Sequence, residues 1–287
     1  MALAKERAFE RLRDARKSGR LAHACLLSGP PGAGKKWLAA ELAALVLGSS
    51  ANEVLSHPDL HQVAPESKSR RILISQMRDL EHAIQMKPLL GANKVAVIHD
   101  ADRLQPEAAN AFLKTLEEPP PHAVFILATT EKHKVLPTIL SRCQIFDFKR
   151  IGIGDIADHL QWVAQQEGLG AEPEALHAIA EKADGSLRDS LSIFDRIAAF
   201  AQGGTLTYEL VRQNLQLVDR ALFVNLWSSI ERGDRSSILN AVQHVLDQGF
   251  DLQRFLMGFS GYVRELLLAQ HPATVALLDV PDSAKQQ

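Results

Sequence analysis

The residues best suited to chemistry form a glycine-rich loop near the start of the chain. The loop reads Gly29-Pro30-Pro31-Gly32-Ala33-Gly34-Lys35-Lys36. It fits the phosphate-binding pattern G-x-x-x-x-G-K-[ST] through Lys35, but Lys36 stands where the pattern requires Ser or Thr. The backbone N–H groups of such a loop curl around a phosphate, and the Lys35 ammonium can reach the β- and γ-phosphates. The missing hydroxyl normally ligates Mg²⁺, so the loop can hold ATP or ADP but is poorly equipped to catalyse with it.

The elements on either side of the loop favour a nucleotide site. Ala24–Leu27 is a short apolar run that predicts a buried strand, and Trp37–Leu47 has the apolar spacing of a helix. A strand, a glycine loop and a helix in this order aim the helix N-terminus at an anion. The alternative is a Gly/Pro-rich turn ahead of an ordinary helix, and the strand before Gly-Lys-Lys makes the nucleotide site the better interpretation.

Further apolar runs alternate with helical patterns up to Phe148. The runs predict strands over Lys94–Ile98, Val124–Ala128 and Ile145–Phe148, and a helix over Gln105–Leu116. Alternating strands and helices predict an α/β fold with a parallel sheet covered on both faces. Ligands of such sheets bind at the carboxyl ends of the strands, where the glycine loop, Asp100 and Thr129 all fall.

From Gly154 onward the strand signal disappears and every predicted element is a helix. The predicted helices cover Gly154–Glu167, Glu172–Ala183, Ser186–Ala201, Tyr208–Leu217, Ala221–Arg232, Arg235–Gln248 and Leu252–Ala269.

Composition excludes several classes of protein. The 287 residues are 46% hydrophobic and 23% charged, as in soluble globular proteins. No apolar run approaches the about 20 residues that span a bilayer, so no membrane partner is expected. Two cysteines provide neither a disulfide framework nor a zinc cluster, which predicts a cytoplasmic protein without zinc. The net charge of −2 argues against a broad basic surface for nucleic acid.

Five segments together resemble one family. Val95–Asp100 resembles a Walker B strand that delivers a carboxylate to Mg²⁺. Ala109–Pro120 and Leu140–Cys143 closely resemble the helix and the Ser-Arg-Cys motif of bacterial DNA polymerase III clamp-loader subunits, which are AAA+ proteins. Thr129-Thr130 lies where their sensor 1 lies, and Gly185–Asp189 resembles their sensor 2. The resemblance implies an AAA+ P-loop domain over residues 1–149, a three-helix lid over 150–204 and a helical collar domain over 205–287 that looks short.

Two branches of that family compete. Lys36, the Ala101 that follows Asp100, and the linker Gly48–His57 without cysteines resemble the delta-prime subunit, as does Glu66–Arg71. Other segments look more like the gamma/tau motor subunit, namely Thr130–His133, Ile145–Phe148 and Ala183–Asp195. Delta-prime is the favoured prediction, and a gamma/tau-like ATPase motor, with Asp102 replacing the missing Glu, is the alternative. A small-molecule P-loop kinase is a more distant option, since the helical tail and the Ser-Arg-Cys motif have no role in one.

The resemblance also implies roles for single residues. Arg142 is the predicted arginine finger, acting in trans on a neighbouring subunit; the alternative is an arginine that bonds nearby carbonyls. Arg188 either reads bound nucleotide from the lid or forms surface ion pairs. Asp100 is the predicted ligand if Mg²⁺ binds, whereas His99 is interpreted as a polar filler because no Cys or His lies at zinc spacing from it.

The partners implied by the resemblance are other clamp-loader subunits (gamma/tau and delta), the sliding clamp, and primed DNA through the complex. Val224–Trp227 and Phe255–Met257 are the predicted contact surfaces of the collar. Both are apolar, and an exposed apolar patch of this kind marks an interface unless it packs within its own domain.

Overall fold

The computed structural model describes residues 10, 13, 14, 16, 21–50, 52–66, 70–201, 204–215, 220–249, 251–270 and 272–275. The chain divides into two compact units. One unit takes the residues up to Ile151 together with Gly185–Arg188, and the other takes Gly152–Asp184 and the residues from Asp189 onward.

A five-stranded parallel sheet forms the centre of the first unit. Its strands are Ala24–Ser28 (β1), Leu60–Val63 (β2), Lys94–Ile98 (β3), Ala123–Thr129 (β4) and Gln144–Asp147 (β5), in the order β2-β3-β4-β1-β5. The three inner strands β3, β4 and β1 are buried along their whole length. A strand covered on both faces reads as a nearly continuous apolar run, which is why the sequence pattern identified these three.

Helices cover both faces of this sheet, as predicted. They are Lys35–Leu47 (α1), Ile74–Gln85 (α2), Pro106–Glu117 (α3) and the single turn Pro137–Leu140 (α4). One apolar core joins α2 and α3 to alternate strand residues and centres on Met77, Phe112 and Phe125. The other joins α1, through Leu38 and Leu42, to the intervening strand residues. The period of two along each strand therefore divides the apolar side chains between two cores.

Three elements of the first unit were not predicted, namely β2, α2 and the single turn α4. β2 carries His61 and Gln62 in the middle of four residues at the edge of the sheet, so it shows no apolar run. α2 contains only three buried side chains, Met77, Leu80 and Ile84, in an otherwise polar segment.

The second unit is mainly helical. Its helices are Ile153–Gln166 (α5), Pro173–Lys182 (α6), Tyr208–Leu215 (α8), Arg220–Arg232 (α9), Arg235–Asp247 (α10), Leu252–Ala269 (α11) and Pro272–Val275 (α12); Leu187–Ala198 (α7) begins in the first unit and continues in the second. The described part of the chain has no helix of the length and apolar character that a bilayer span requires.

The prediction that strands end before Gly154 was wrong in one detail. Gly170–Ala171 (β6) and Thr205–Leu206 (β7) pair in parallel. A Cβ added at Gly170 would lie 2.9 Å from the Thr205 hydroxyl, so the close approach depends on glycine.

The predicted contact surfaces of the collar are only partly exposed. Leu226, Val245 and Phe255 form a small apolar core among α9, α10 and α11. Leu226 and Phe255 are therefore unavailable to a partner, which corrects the sequence prediction at those two positions. Val224 and Met257, in contrast, are exposed.

Candidate nucleotide site

The glycine loop leaves β1 with a backbone shape that requires glycine at two positions. The Gly29 N–H donates a 3.3 Å hydrogen bond to the Thr129 carbonyl at the end of β4. A Cβ at Gly29 would lie 2.5 Å from the Phe148 carbonyl oxygen. Gly32 has φ +71°, and a Cβ there would overlap the Ser186 hydroxyl. The loop is therefore enclosed on two sides by backbone and side chains that a larger residue would displace.

The Lys35 side chain lies across the loop. Its ammonium donates hydrogen bonds to the carbonyls of Gly29 and Pro30, at 2.7 and 2.6 Å, and the side chain is buried. Burial lowers the pKa of Lys35, while the nearby carboxylates of Asp100 and Asp102 oppose that shift. The loop thus surrounds the Lys35 ammonium, and the negative charges of Asp100 and Asp102 act on it.

The remaining loop residues complete the turn into α1. Gly34 has φ +91° and precedes the first helical residue, Lys35. Ala33 is buried, Pro31 is exposed, and Lys36 at the second helical position is also exposed. The structure therefore brings all eight predicted loop residues to the carboxyl edge of the sheet.

β3 ends at Ile98, and His99 and Asp100 follow it in a turn. The His99 N–H donates to the Val63 carbonyl at 2.8 Å, which extends the strand pairing by one residue. Asp100 follows in a left-handed turn with φ +51° and is exposed. Burial lowers the pKa of His99, and the positive charge of Lys36 lowers it further. His99 Nε2 lies 3.1 Å from the Gln62 amide oxygen.

Thr129 is bonded to Asp102, the carboxylate that the sequence suggested as a replacement for the missing Glu. The Thr129 hydroxyl donates to Asp102 Oδ1 at 2.5 Å and accepts from the Glu131 N–H at 3.0 Å. Asp102 also pairs with Arg103 at 3.3 Å, and its side chain is only 2% exposed. Asp102 and Thr129 lie far apart in sequence, and no motif links them. Each oxygen of the Asp102 carboxylate thus contacts a protein group.

Arg142 lies on a separate part of the first unit, in a set of residues that we call the Arg142 corner: Glu117, Thr138, Ser141, Arg142 and Cys143. Arg142 Nη1 donates to the Thr138 carbonyl at 2.8 Å, and Nη2 donates to Glu117 Oε1 at 2.7 Å. Its side chain is 33% exposed and that of Glu117 is 52% exposed. Burial raises the pKa of the Cys143 thiol to about 11, so this cysteine is not a thiolate nucleophile.

The segment Gly185–Arg188 belongs to the same compact unit as the loop. The Gly185 carbonyl accepts from the Ile151 N–H at 3.2 Å, and a Cβ at Gly185 would lie 2.6 Å from that of Arg150. Ser186, which sequence reasoning did not single out, is the residue that meets Gly32. Arg188 is exposed near the start of α7.

A parallel sheet covered on both faces, a glycine loop leading into a helix, and a following helical part define an AAA+ P-loop protein. Solved structures agree on the fold. The Thermotoga maritima RuvB Holliday junction branch migration motor superposes with a TM-score of 0.57 at 18% identity, over 86% of this chain and 81% of that chain. A point mutant of the same RuvB gives a TM-score of 0.59 at 17% identity, over 87% of this chain and 84% of that chain.

Three family models match consecutive parts of the chain. "DNA polymerase III, delta subunit" matches residues 4–152, slightly more than half of the chain. "DNA polymerase III clamp loader subunit, ATPase lid domain" matches residues 155–203, and "DNA polymerase III subunits gamma and tau domain III" matches residues 206–287. The chain belongs to the family of bacterial DNA polymerase III clamp-loader subunits, which confirms the resemblance at the level of the family.

Proteins of similar sequence support this family assignment. DNA polymerase III subunit tau of Bacillus subtilis is 33% identical over 268 residues, which cover 90% of this chain and 47% of that protein. The tau subunit of Escherichia coli is 31% identical over 266 residues, covering 88% and 41%. The chain thus spans less than half the length of these relatives. Their names match the gamma/tau alternative better than the favoured delta-prime prediction.

An AAA+ fold implies nucleotide binding with Mg²⁺, and the residues of this site fit the nucleotide better than the metal. The hydroxyl that would ligate Mg²⁺ is replaced by the ammonium of Lys36, and the first residue after β3 is His99. No group of three or more His, Cys, Asp or Glu that could hold a metal ion occurs among the described residues. Asp100 alone presents an exposed carboxylate near Lys35.

Proposed function

We propose that the chain is a gamma/tau-related subunit of a DNA polymerase III clamp-loader complex, which places the sliding clamp on primed DNA. The observation that carries the proposal is the series of three family models that match residues 4–152, 155–203 and 206–287. The tau names of the relatives from Bacillus subtilis and Escherichia coli support the gamma/tau relation. In this proposal residues 150–204 act as the lid, residues 205–287 act as the collar, and the protein works in the cytoplasm.

The loop Gly29–Lys36 holds ATP or ADP in this proposal. Lys35 is the phosphate ligand, because its ammonium already lies among the loop carbonyls and can exchange those contacts for phosphate oxygens. Hydrolysis by the chain alone is expected to be slow. Lys36 removes the hydroxyl that would ligate Mg²⁺, and the Asp102 carboxylate is already bonded to Thr129 and Arg103.

A second candidate, a delta-prime-like subunit that only assists its neighbour, is favoured by the substitution at Lys36. In this candidate Arg142 reaches the nucleotide of an adjacent subunit and stabilises the charge that develops on its γ-phosphate. Arg142 would have to exchange Glu117 and the Thr138 carbonyl for phosphate oxygens. Both contacts lie at the surface, and an exposed ion pair contributes only about 0–1 kcal/mol, so the exchange costs little.

ATP turnover by complexes assembled with gamma/tau-like and delta-like partners separates the two candidates. Lys35→Ala in this chain should lower turnover if the chain is a motor, because its own site then does chemistry. If the chain only assists, Arg142→Ala should lower turnover whereas Lys35→Ala leaves it unchanged. Failure of the chain to co-purify with those partners would contradict both candidates.

A further inference from the structure

The second lysine of the loop stands where other phosphate-binding loops carry a Mg²⁺ ligand. Lys36 is the second residue of α1, directly after Lys35, and it is exposed. A Ser or Thr hydroxyl at this position normally ligates Mg²⁺. Here the position carries an ammonium.

An ammonium at this position affects a divalent cation and a phosphate in opposite ways. It repels Mg²⁺, because like charges at short range raise the free energy of binding in a partly buried site. It attracts the phosphate oxygens that Mg²⁺ would otherwise neutralise, as a point charge with three N–H donors. With Lys35 already inside the loop, the site offers two cationic side chains to one pyrophosphate.

His99 strengthens this argument. Its Nδ1 is buried and has no hydrogen-bond partner among the residues that the structure describes. The neighbouring Asp100 supplies a carboxylate, but no group of three or more His, Cys, Asp or Glu that could hold a metal ion occurs among the described residues, and Mg²⁺ prefers several oxygen ligands.

We infer that this loop binds nucleoside di- and triphosphates without a divalent cation, the Lys36 ammonium taking the place that Mg²⁺ and its hydroxyl ligand occupy in other such loops. The inference rests on the proposed nucleotide binding and deepens it, since it concerns the ionic form of the ligand. A nucleotide held in this way lacks the metal that neutralises charge during phosphoryl transfer, so binding and hydrolysis are separated at this site.

The test is a titration of the purified full chain with an N-methylanthraniloyl-labelled ADP, in excess EDTA and again in excess Mg²⁺. Wild type should bind at least as tightly in EDTA as in Mg²⁺. Lys36→Met should weaken binding in EDTA by about tenfold or more, the effect of losing a hydrogen bond to a charged group. Lys36→Ser should lose the same affinity in EDTA and recover part of it in Mg²⁺.

Two controls make the outcomes distinct. Lys87→Met removes a surface lysine after α2 and should leave binding unchanged, whereas Lys35→Met should abolish binding in both conditions. If wild type binds only with Mg²⁺, the inference is overturned and the proposed nucleotide site stands. If wild type binds in neither condition, the nucleotide site itself is wrong. Lys36 is exposed, so thermal unfolding of its variants should match wild type.

Discussion

The glycine loop and the Arg142 corner each contain a cation that is bonded to protein groups, Lys35 in the loop and Arg142 in the corner. The Lys35 ammonium is buried and is bonded to two carbonyls of its own loop. Arg142 is one third exposed, and Glu117, its charged partner, is half exposed. Lys35 can therefore serve only a ligand that enters the loop, whereas Arg142 can be released toward another molecule at small cost. The two cations are thus suited to different tasks: Lys35 to binding a ligand in its own loop, and Arg142 to contacting another molecule.

The strongest test of that comparison is Arg142→Ala in an assembled complex. If the arginine completes a neighbouring site, ATP turnover at that site should fall by about 10³-fold or more, the usual effect of an arginine finger. Steady-state turnover with clamp and primed DNA measures this. Arg142→Lys should rescue poorly, because an ammonium cannot reproduce the planar fork of a guanidinium on phosphate oxygens. Wild-type turnover with Arg142→Ala would make Arg142 a structural residue.

Gly32→Ala tests whether the loop is as tightly enclosed as its geometry indicates. The new Cβ would meet both an unfavourable φ of +71° and the Ser186 hydroxyl, which it would overlap. We expect the free energy of unfolding to fall by about 3 kcal/mol, the sum of backbone strain and overpacking. Chemical denaturation measures the change, and binding of labelled ADP should weaken with it.

Gly48→Ala is the matched control for that experiment. Gly48 also has φ +71°, but an added Cβ there would meet no other part of the described chain within 4 Å. It should cost only the strain of a left-handed alanine, about 1 kcal/mol. Combining Gly32→Ala with Ser186→Gly should recover part of the difference. Equal losses for Gly32→Ala and Gly48→Ala would show that Ser186 does not enclose the loop.

The sequence predicted the parts of both regions that depend on local pattern. The buried runs located β1, β3 and β4 to within one residue at each end, and the glycine spacing located the loop. Long-range contacts were not predictable. The bond from Thr129 to Asp102, the meeting of Ser186 with Gly32, and the action of Lys36 on His99 each join residues from separate elements. They depend on strand register and on the paths of turns, which no local pattern specifies.

The surroundings of Asp100 show the same limit. The sequence pattern placed the end of β3 at Ile98, as the structure has it, and indicated Asp100 as the metal ligand. The pattern did not show that the His99 N–H donates to the Val63 carbonyl. It also did not show that Asp100 lies in a left-handed turn near Lys35.

The substitution Asp59→Asn tests the stability of the first unit, which contains both the loop and the Arg142 corner. Its carboxylate is buried and accepts hydrogen bonds from the N–H groups of Leu89 and Leu90 at 2.7 and 2.8 Å. Asp59→Asn places an NH₂ group against one of those donors. We expect the free energy of unfolding to fall by about 2 kcal/mol, the usual cost of a buried donor left unsatisfied. Labelled-ADP affinity should stay at the wild-type value.

The pH dependence of this effect has a definite sign. Burial alone would raise the pKa of Asp59, but the N–H groups of Leu90 and Leu89 and the charges of His57 and Lys94 hold it below its ordinary value. A lowered folded pKa stabilises the protein above the unfolded pKa of about 4, and this contribution is lost as the pH falls through the folded value. The stability difference between wild type and Asp59→Asn should therefore shrink only below about pH 4. A difference that already vanishes at about pH 6 would contradict the assignment.

Glu117→Gln should have the smallest effect, and it bears most directly on the comparison between the loop and the Arg142 corner. The substitution removes the charge that holds Arg142 Nη2 but leaves an amide oxygen of the same shape. Because the pair is partly exposed, the free energy of unfolding should change by less than about 1 kcal/mol. Turnover of the assembled complex should be unchanged or slightly raised, since Arg142 then leaves Glu117 more readily. Denaturation of the chain and turnover of the complex are measured on the same preparation. A loss of stability well above about 1 kcal/mol would show that Glu117 and Arg142 form a structural pair. The cation of the corner would then be held as firmly as the cation of the loop.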